Sequence, residues 1–548
     1  MPEARGVAVR AAFLPEAGTA ERALLLVREH GSEAAAEGIA VDGTDIVIRG
    51  LRGTLRRVTV TAFDGSYQPE PDVPGRTGHQ REGGQARPGW RVPIGPGDDP
   101  VEMAALVRPT ERQLAWHRLE RTAFLHFGVN TFTGQEWGYG DEDPNLFHPQ
   151  DLDTDQWARE LKAAGFTLAI LTVKHHDGFV LYPSAHTGHS VASSSWRDGK
   201  GDVLRNFTDS MRAHGLKAGV YLSPADEHAF AAGTFANGSP RLPREVGGLT
   251  LPATDYGHYM LRQLHEVLTG YGPIAEVWFD GSQGRIPAGQ AEDYDFDSWY
   301  ALIRHLAPEA TIAVCGPDVR WVGNESGLAR EDEWNVVPVT VARERVEVAD
   351  RYDAADLGSR AALAVPADYL QWWPAEVDVS IRPGWFFHDD QRPKSVDELM
   401  DIYHESVGRG AVLLLNIPPD RRGRLAEADV GVLREWSARI ERSYGTNLAP
   451  DLPVWEGDRP LMLDLPQPVT FDRIVLAEDL RHGQLVESLT VEAWGDDGWH
   501  QVAACGTVGA KRILLLPAPV TTATLRFTVR QARGPARVSH IGLHLADK

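Results

Sequence analysis

Between residues 105 and 445, short apolar runs alternate with amphipathic helical stretches, and this alternation limits the fold more than any other feature of the chain. TAFLHFGVNTF leads through DTDQWARELKAAG to FTLAILTVKHH, RNFTDSMRAHG precedes LKAGVYLS, and GHYMLRQLHEVLTGYG precedes IAEVWFDG. FDSWYALIRHLAPEA is followed by TIAVCGPDVRWVG, and SVDELMDIYHESVGRG by AVLLLNIPP. The helical pieces carry apolar residues at i, i+3 and i+4, whereas the strand pieces are apolar throughout, as in a parallel sheet covered on both faces. Repeated β-α units over this length predict an α/β fold of the (β/α)8 barrel type rather than an open sheet. A glycine-rich phosphate fingerprint is missing after the first strand, which argues against a dinucleotide-binding fold.

The flanks read differently. Residues 1–64 alternate in short bursts such as DIVIRGL and RRVTVTAF, predicting a small β-rich domain, and the Pro/Gly-rich stretch 65–104 reads as a linker. After 445 the helical periodicity stops, and strand-length pieces with turns between them predict a β-sandwich over 446–548. Cys315 and Cys505 are far apart, each within an apolar run, and read as buried thiols rather than a disulfide. The N-terminus, MPEARGVAVRAAF, shows no basic region leading into a long apolar segment, so no signal peptide is visible, and cytoplasmic and secreted locations both stay open. No apolar run approaches the roughly 20 residues of a membrane-spanning helix.

Charge narrows the partner. With 55 Lys plus Arg against 77 Asp plus Glu, the net charge of −22 opposes nucleic acid and anionic membranes, leaving a neutral small molecule or glycan. The 16 tryptophans would supply platforms for apolar sugar faces.

Polar and aromatic residues gather where the predicted strands end: His126, His175, His176, Tyr221, Asp280 and Asp318. In such barrels the C-terminal strand ends form the active face. The KHHDG of 174–178 looks like a metal motif, but consecutive strand residues point to opposite faces, and neither HxH nor HExxH spacing is present. A packing or loop-capping role is the plain alternative. Hydrogen bonding to adjacent sugar hydroxyls is the third, because a neutral imidazole both donates and accepts. Asp280, after Trp278 at the end of an apolar strand, is either a cap for the next segment or a reactive carboxylate of the kind glycoside hydrolysis requires.

These motifs carry a resemblance. HFGVNTF followed by EW at 136–137, KHHDGF at 174–179, GVYLS at 219–223, VWFDG at 277–281 and LLNIPPDRRG at 414–423 resemble, in order, the family 29 glycoside hydrolases, the α-L-fucosidases. The resemblance implies a catalytic (β/α) barrel over 105–445, often followed by a β-sandwich, and a retaining mechanism without cofactor or metal. It implies Asp280 as nucleophile, and His126, Glu136, Trp137, His175, His176, Tyr221, Trp278 and Trp385 as fucose contacts. GPDVRWVGNESGLAREDEWNVVP at 316–338 resembles the branch specific for α-1,3/1,4-linked fucose, as in Lewis-type glycans, which implies Glu325 as acid/base. Glu331, Asp332 and Glu333 compete for that role, and Arg320, Arg330 and Trp334 are candidates for contacts to the sugars beyond fucose. Retention predicts roughly 5–5.5 Å between the two carboxyl groups. The expected partners are fucosylated oligosaccharides or glycoconjugates, not nucleic acid or membrane. A broad-specificity α-L-fucosidase, a metal-dependent hydrolase and a catalytically silent fucose lectin are the alternatives. The C-terminal sandwich resembles discoidin-like or carbohydrate-binding modules.

Overall fold

The computed structural model describes residues 88–284, 292–340 and 357–546, with the backbone of five strands nearer the N-terminus. The chain divides into two compact units, Met1–Gly78 and His79–Lys548. In the first, Ala23–Glu29, Val7–Phe13 and Arg57–Thr61 form one sheet in that order, and Gly38–Asp42 pairs with Asp45–Arg49.

The second unit holds the barrel. Its strands are β1 (Arg121–Leu125), β2 (Leu168–Lys174), β3 (Lys217–Leu222), β4 (Glu276–Phe279), β5 (Thr311–Val314), β6 (Arg320–Trp321), β7 (Ala375–Ser380) and β8 (Val412–Asn416). They pair in parallel in the order β5-β4-β3-β2-β1-β8-β7-β6, a nearly closed cylinder with its seam between β5 and β6. Helices follow most strands, and their starts are fixed by side chains that accept from orphan backbone N–H groups: Asp153, Asp202, Thr254 and Ser395 each cap one. The strand runs are largely buried, β2 and β8 at every position.

Two sequence readings change. The stretch taken as a linker through residue 104 is structured in its second half: Arg91–Pro93 pairs with Tyr369–Trp372, and Pro100–Ala104 is a helix. There the Asp-Pro pair marks a capped helix start, Asp99 accepting from Val101 N with Pro100 in the first turn, rather than loose chain. Asp318 does not join the other strand-end groups. It staples the β5–β6 connection, accepting from Ile312 N at 2.9 Å, Arg112 at 3.0 Å and Arg304 at 2.6 Å.

The C-terminal part is antiparallel, in the order Trp455–Glu456, Arg537–His544, Leu461–Glu478, Arg512–Ala532, Val486–Gly495, Gly498–Cys505. Bulges bend the two long strands, and the resulting β-sandwich closes on Leu463, Phe471, Val491, Leu525, Phe527 and Leu543. Cys315 and Cys505 are buried free thiols.

A buried ion pair holds the β7 exit to the last barrel helix, Glu427–Tyr444. Arg382 donates to both oxygens of Asp429, at 2.9 and 2.8 Å. Asp429→Ala leaves the guanidinium buried without its partner and is expected to cost about 3–5 kcal/mol. The check is the urea midpoint of unfolding, which should fall well below that of the parent.

Candidate active site

A cavity of about 310 Å³ opens at the C-terminal ends of the barrel strands. Its walls include His126, Glu136, Trp137, His175, His176, Tyr221, Trp278, Asp280, Glu325 and Trp385, all ten of the carboxyl and pocket residues singled out from the sequence. Phe124, Trp321 and Asp378 line it as well.

Asp280 follows β4 directly. Its Oδ1 accepts from Ser282 N at 2.7 Å and its Oδ2 from the Tyr221 hydroxyl at 3.0 Å, with His176 Nε2 at 3.8 Å. Tyr221 stacks on Trp278, with ring centroids 5.2 Å apart, and the Trp278 indole N–H donates to Glu376 at 2.8 Å. A line of contacts from the barrel interior thus sets the orientation of this carboxylate.

The histidines are held neutral. Burial pushes His126 down to about 3 and lowers His175 and His176, against the pull of Asp280 on His126 and His176. Asn416 Nδ2 donates to Ser380 Oγ and the Trp385 carbonyl, both at 2.8 Å, so its Oδ1 is the acceptor for His126 Nδ1 at 2.9 Å. His126 Nδ1 therefore carries the proton, and Nε2 is left as an acceptor. His176 Nδ1 lies 2.6 Å from Ser223 Oγ, and its ring sits 4.2 Å under Trp137. Both adjacent histidines reach the cavity because β2 ends at Lys174, so the strand alternation no longer applies.

The rest of KHHDG is support. Lys174 is buried against Asp226 at 3.0 Å. Asp177 accepts from Asn130 Nδ2 at 3.0 Å and Phe179 N at 2.6 Å. The loop carrying Glu136 and Trp137 lies down on it: Gly138 has φ +74°, and a Cβ there would meet Asp177 Cβ at 2.7 Å. Glu136 accepts from Trp385 N at 3.0 Å and contacts His388 Nε2 at 2.8 Å, so it ties this loop to the one bearing Trp385.

Glu325 stands exposed on the rim, in a turn closed by Asn324, which accepts from Ser326 N and donates to the Leu328 carbonyl. The surrounding walls strip away part of its water, and together with the charge of Asp280 this holds its carboxyl above the ordinary range; a hydrogen bond from the Trp385 side chain works the other way. One carboxylate fixed as an acceptor and one inclined to keep its proton are the two groups that cleavage of a glycosidic bond needs.

Arg320, Arg330 and Trp334 are not in the cavity wall. Arg320 is fully buried, donating to Glu333 and to the Trp373 carbonyl at 2.8 Å; Arg330 pairs with the same Glu333 at 3.1 Å. Trp334 is buried beneath the Arg533 guanidinium, 3.5 Å from its ring centroid. Glu331 and Asp332 face the C-terminal sheet, the Glu331 carbonyl accepting from Arg512 and the Asp332 carboxylate from Thr507 N. After Glu325 the chain runs to the sandwich, where Glu331, Asp332 and Trp334 make contacts. Ser223, Trp321, Asp378 and Asn416 were not singled out. The only sequence sign of the last two is a polar residue inside an otherwise apolar run.

Residues 108–442 match the family model described as alpha-L-fucosidase. The chain is 36% identical over 474 residues to alpha-L-fucosidase 1 of Arabidopsis thaliana, covering 80% of this chain and 87% of the relative. A solved Bacteroides ovatus structure is 42% identical with a TM-score of 0.77, over 85% of this chain and 79% of that one. A Ruminococcus gnavus GH29 fucosidase in complex with fucose is 29% identical with a TM-score of 0.69, over 83% of this chain and 97% of that one.

Proposed function

The chain belongs to the α-L-fucosidase family, glycoside hydrolase family 29, and from that premise we propose that it is a retaining exo-glycosidase releasing α-1,3/1,4-linked L-fucose from branched, Lewis-type glycans. The observation that carries this reading is the unequal pair of carboxyls on one small cavity. Asp280, hydrogen-bonded at both oxygens, attacks the anomeric carbon, while Glu325, inclined to keep its proton, delivers it to the departing oxygen. Glu325 then takes a proton from the water that hydrolyses the fucosyl-enzyme. His126, His175 and His176 hold ring hydroxyls as neutral donors and acceptors, and Trp385 and Trp137 offer faces to the apolar side of the sugar. A fucose complex of the Ruminococcus gnavus relative supports this choice of ligand. The linkage preference rests on the WVGNE segment that carries Glu325.

A panel of defined fucosylated oligosaccharides tests both points. Lewis-type trisaccharides should lose fucose while an α-1,2-fucosylated glycan stays intact, and proton NMR should detect α-L-fucose first, before mutarotation. Comparable rates on the α-1,2 glycan would mean broad specificity, and β-L-fucose as first product would rule out retention.

A further inference from the structure

Asp378 lines the cavity and has no part in the reaction just described. Strand alternation points Glu276 and Trp278 inward from β4 and Glu376, Asp378 and Ser380 inward from β7, and Asp280 enters the cavity wall directly after β4. The barrel interior between them therefore gathers carboxyl groups: Glu276 and Glu376 contact each other, and Asp378, in the cavity wall, feels the charges of Glu325 and Asp280. Among the described residues no Lys or Arg lines this cavity, and its three histidines are neutral. Asp378 is buried. Its Oδ1 accepts from the Trp321 indole N–H at 2.9 Å, and the residue's own backbone N–H also hydrogen-bonds the carboxyl. With burial foremost and Glu325 adding to it, the carboxyl is pushed up to about 8, against the hydrogen bond from Trp321. At neutral pH such a group carries its proton, and Oδ2–H becomes a donor in a cavity otherwise rich in acceptors.

We propose that Asp378 is a further recognition residue, a neutral acid that donates a hydrogen bond from Oδ2 to the sugar oxygen bound on the Glu325 side of the pocket, the oxygen on the anomeric carbon. This rests on the fucosidase reading of the cavity. L-Fucose carries that oxygen as its own O1 hydroxyl, so it serves as the probe, and the pocket tryptophans report its binding by fluorescence. The groups facing Asp378 are the carboxyls of Glu325, Asp280 and Glu376, with Trp321 beside it, and a pH effect arising at Glu325 or Glu376 would persist without Asp378. Asp378→Asn keeps an acceptor for Trp321 and a donor that cannot ionise, which separates these cases.

Titrated from pH 6 to 9, the parent should weaken in fucose affinity about fivefold to tenfold as the donor is lost, the loss of one hydrogen bond. Asp378→Asn should bind at pH 6 within about fivefold of the parent and hold that affinity to pH 9, while Asp378→Leu binds about tenfold more weakly throughout. An Asn variant that weakens with pH as the parent does, or a Leu variant that binds like the parent, overturns the proposal while fucose recognition stands. A parent that binds no fucose at pH 6 overturns the fucosidase reading and this one with it.

Discussion

Asp280→Ala is expected to leave a folded protein whose kcat/KM on an aryl α-L-fucoside has fallen by at least about three orders of magnitude, the scale seen when a covalent nucleophile is removed. The two hydrogen bonds to this carboxylate, from Ser282 N and Tyr221, hold it in one orientation at the end of β4, and no other carboxyl shares its position. Tyr221 is pinned in turn by its stack on Trp278. Stability should change little, because the side chain is 22% exposed and its partners can turn to water. Circular dichroism and fucose binding are the controls. Azide should enter the vacated space and give β-L-fucosyl azide, the inverted product, because it then attacks in a single displacement. Near-normal turnover on the aryl fucoside would remove Asp280 from the reaction.

Much of this site could be read from the sequence because its residues follow uninterrupted apolar strands. His126 follows β1, His175 and His176 follow β2, and Asp280 follows β4; each position is set by where an apolar run stops. Six strands were plain for the same reason. β6 is two residues long and hides inside TIAVCGPDVRWVG, and β7 was missed because Glu376 and Asp378 interrupt AEVDVS. Those carboxyls are tolerated in a barrel core only because they carry protons or accept from indole N–H groups, a fact about neighbours on other strands. Arg320 and Trp334 lie near Glu325 in sequence but outside the cavity wall: Arg320, before the turn at Asn324, is buried on Glu333 and the Trp373 carbonyl, and Trp334, after it, lies beneath Arg533 of the sandwich. The roles of Asn416 and Ser223 also depend on partners across the barrel, which no periodicity reports.

Glu325→Ala separates the two chemical steps. With a poor leaving group, as in a fucosylated oligosaccharide, loss of the general acid should lower kcat/KM by about 10²–10⁴-fold. With an activated aryl fucoside the first step needs little acid help, so the fucosyl-enzyme accumulates and its hydrolysis, now lacking a base, limits turnover. Azide needs no deprotonation, so it should restore turnover and give α-L-fucosyl azide, the retained product, opposite in configuration to that from Asp280→Ala. The pH profile follows from the same charges. Glu325 acts in its protonated form, and its carboxyl is raised by burial and by the charge of Asp280, so the parent should stay active above the ordinary carboxyl range and lose kcat/KM as pH rises through that raised value. In Glu325→Ala the part of that basic limb set by Glu325 should vanish for the aryl substrate, leaving only the loss of affinity assigned to Asp378. In the proposed mechanism, the dependence on Asp280 also lets one residue serve both steps. Once Asp280 is esterified its charge is gone, one of the influences raising Glu325 disappears, and the carboxyl that gave up a proton becomes a better resting place for the negative charge a general base must carry. Azide rescue at Glu331 or Glu333 instead, with Glu325→Ala nearly as active as the parent, would move the acid/base to a residue that faces the sandwich, and the proton cycle described here would fail.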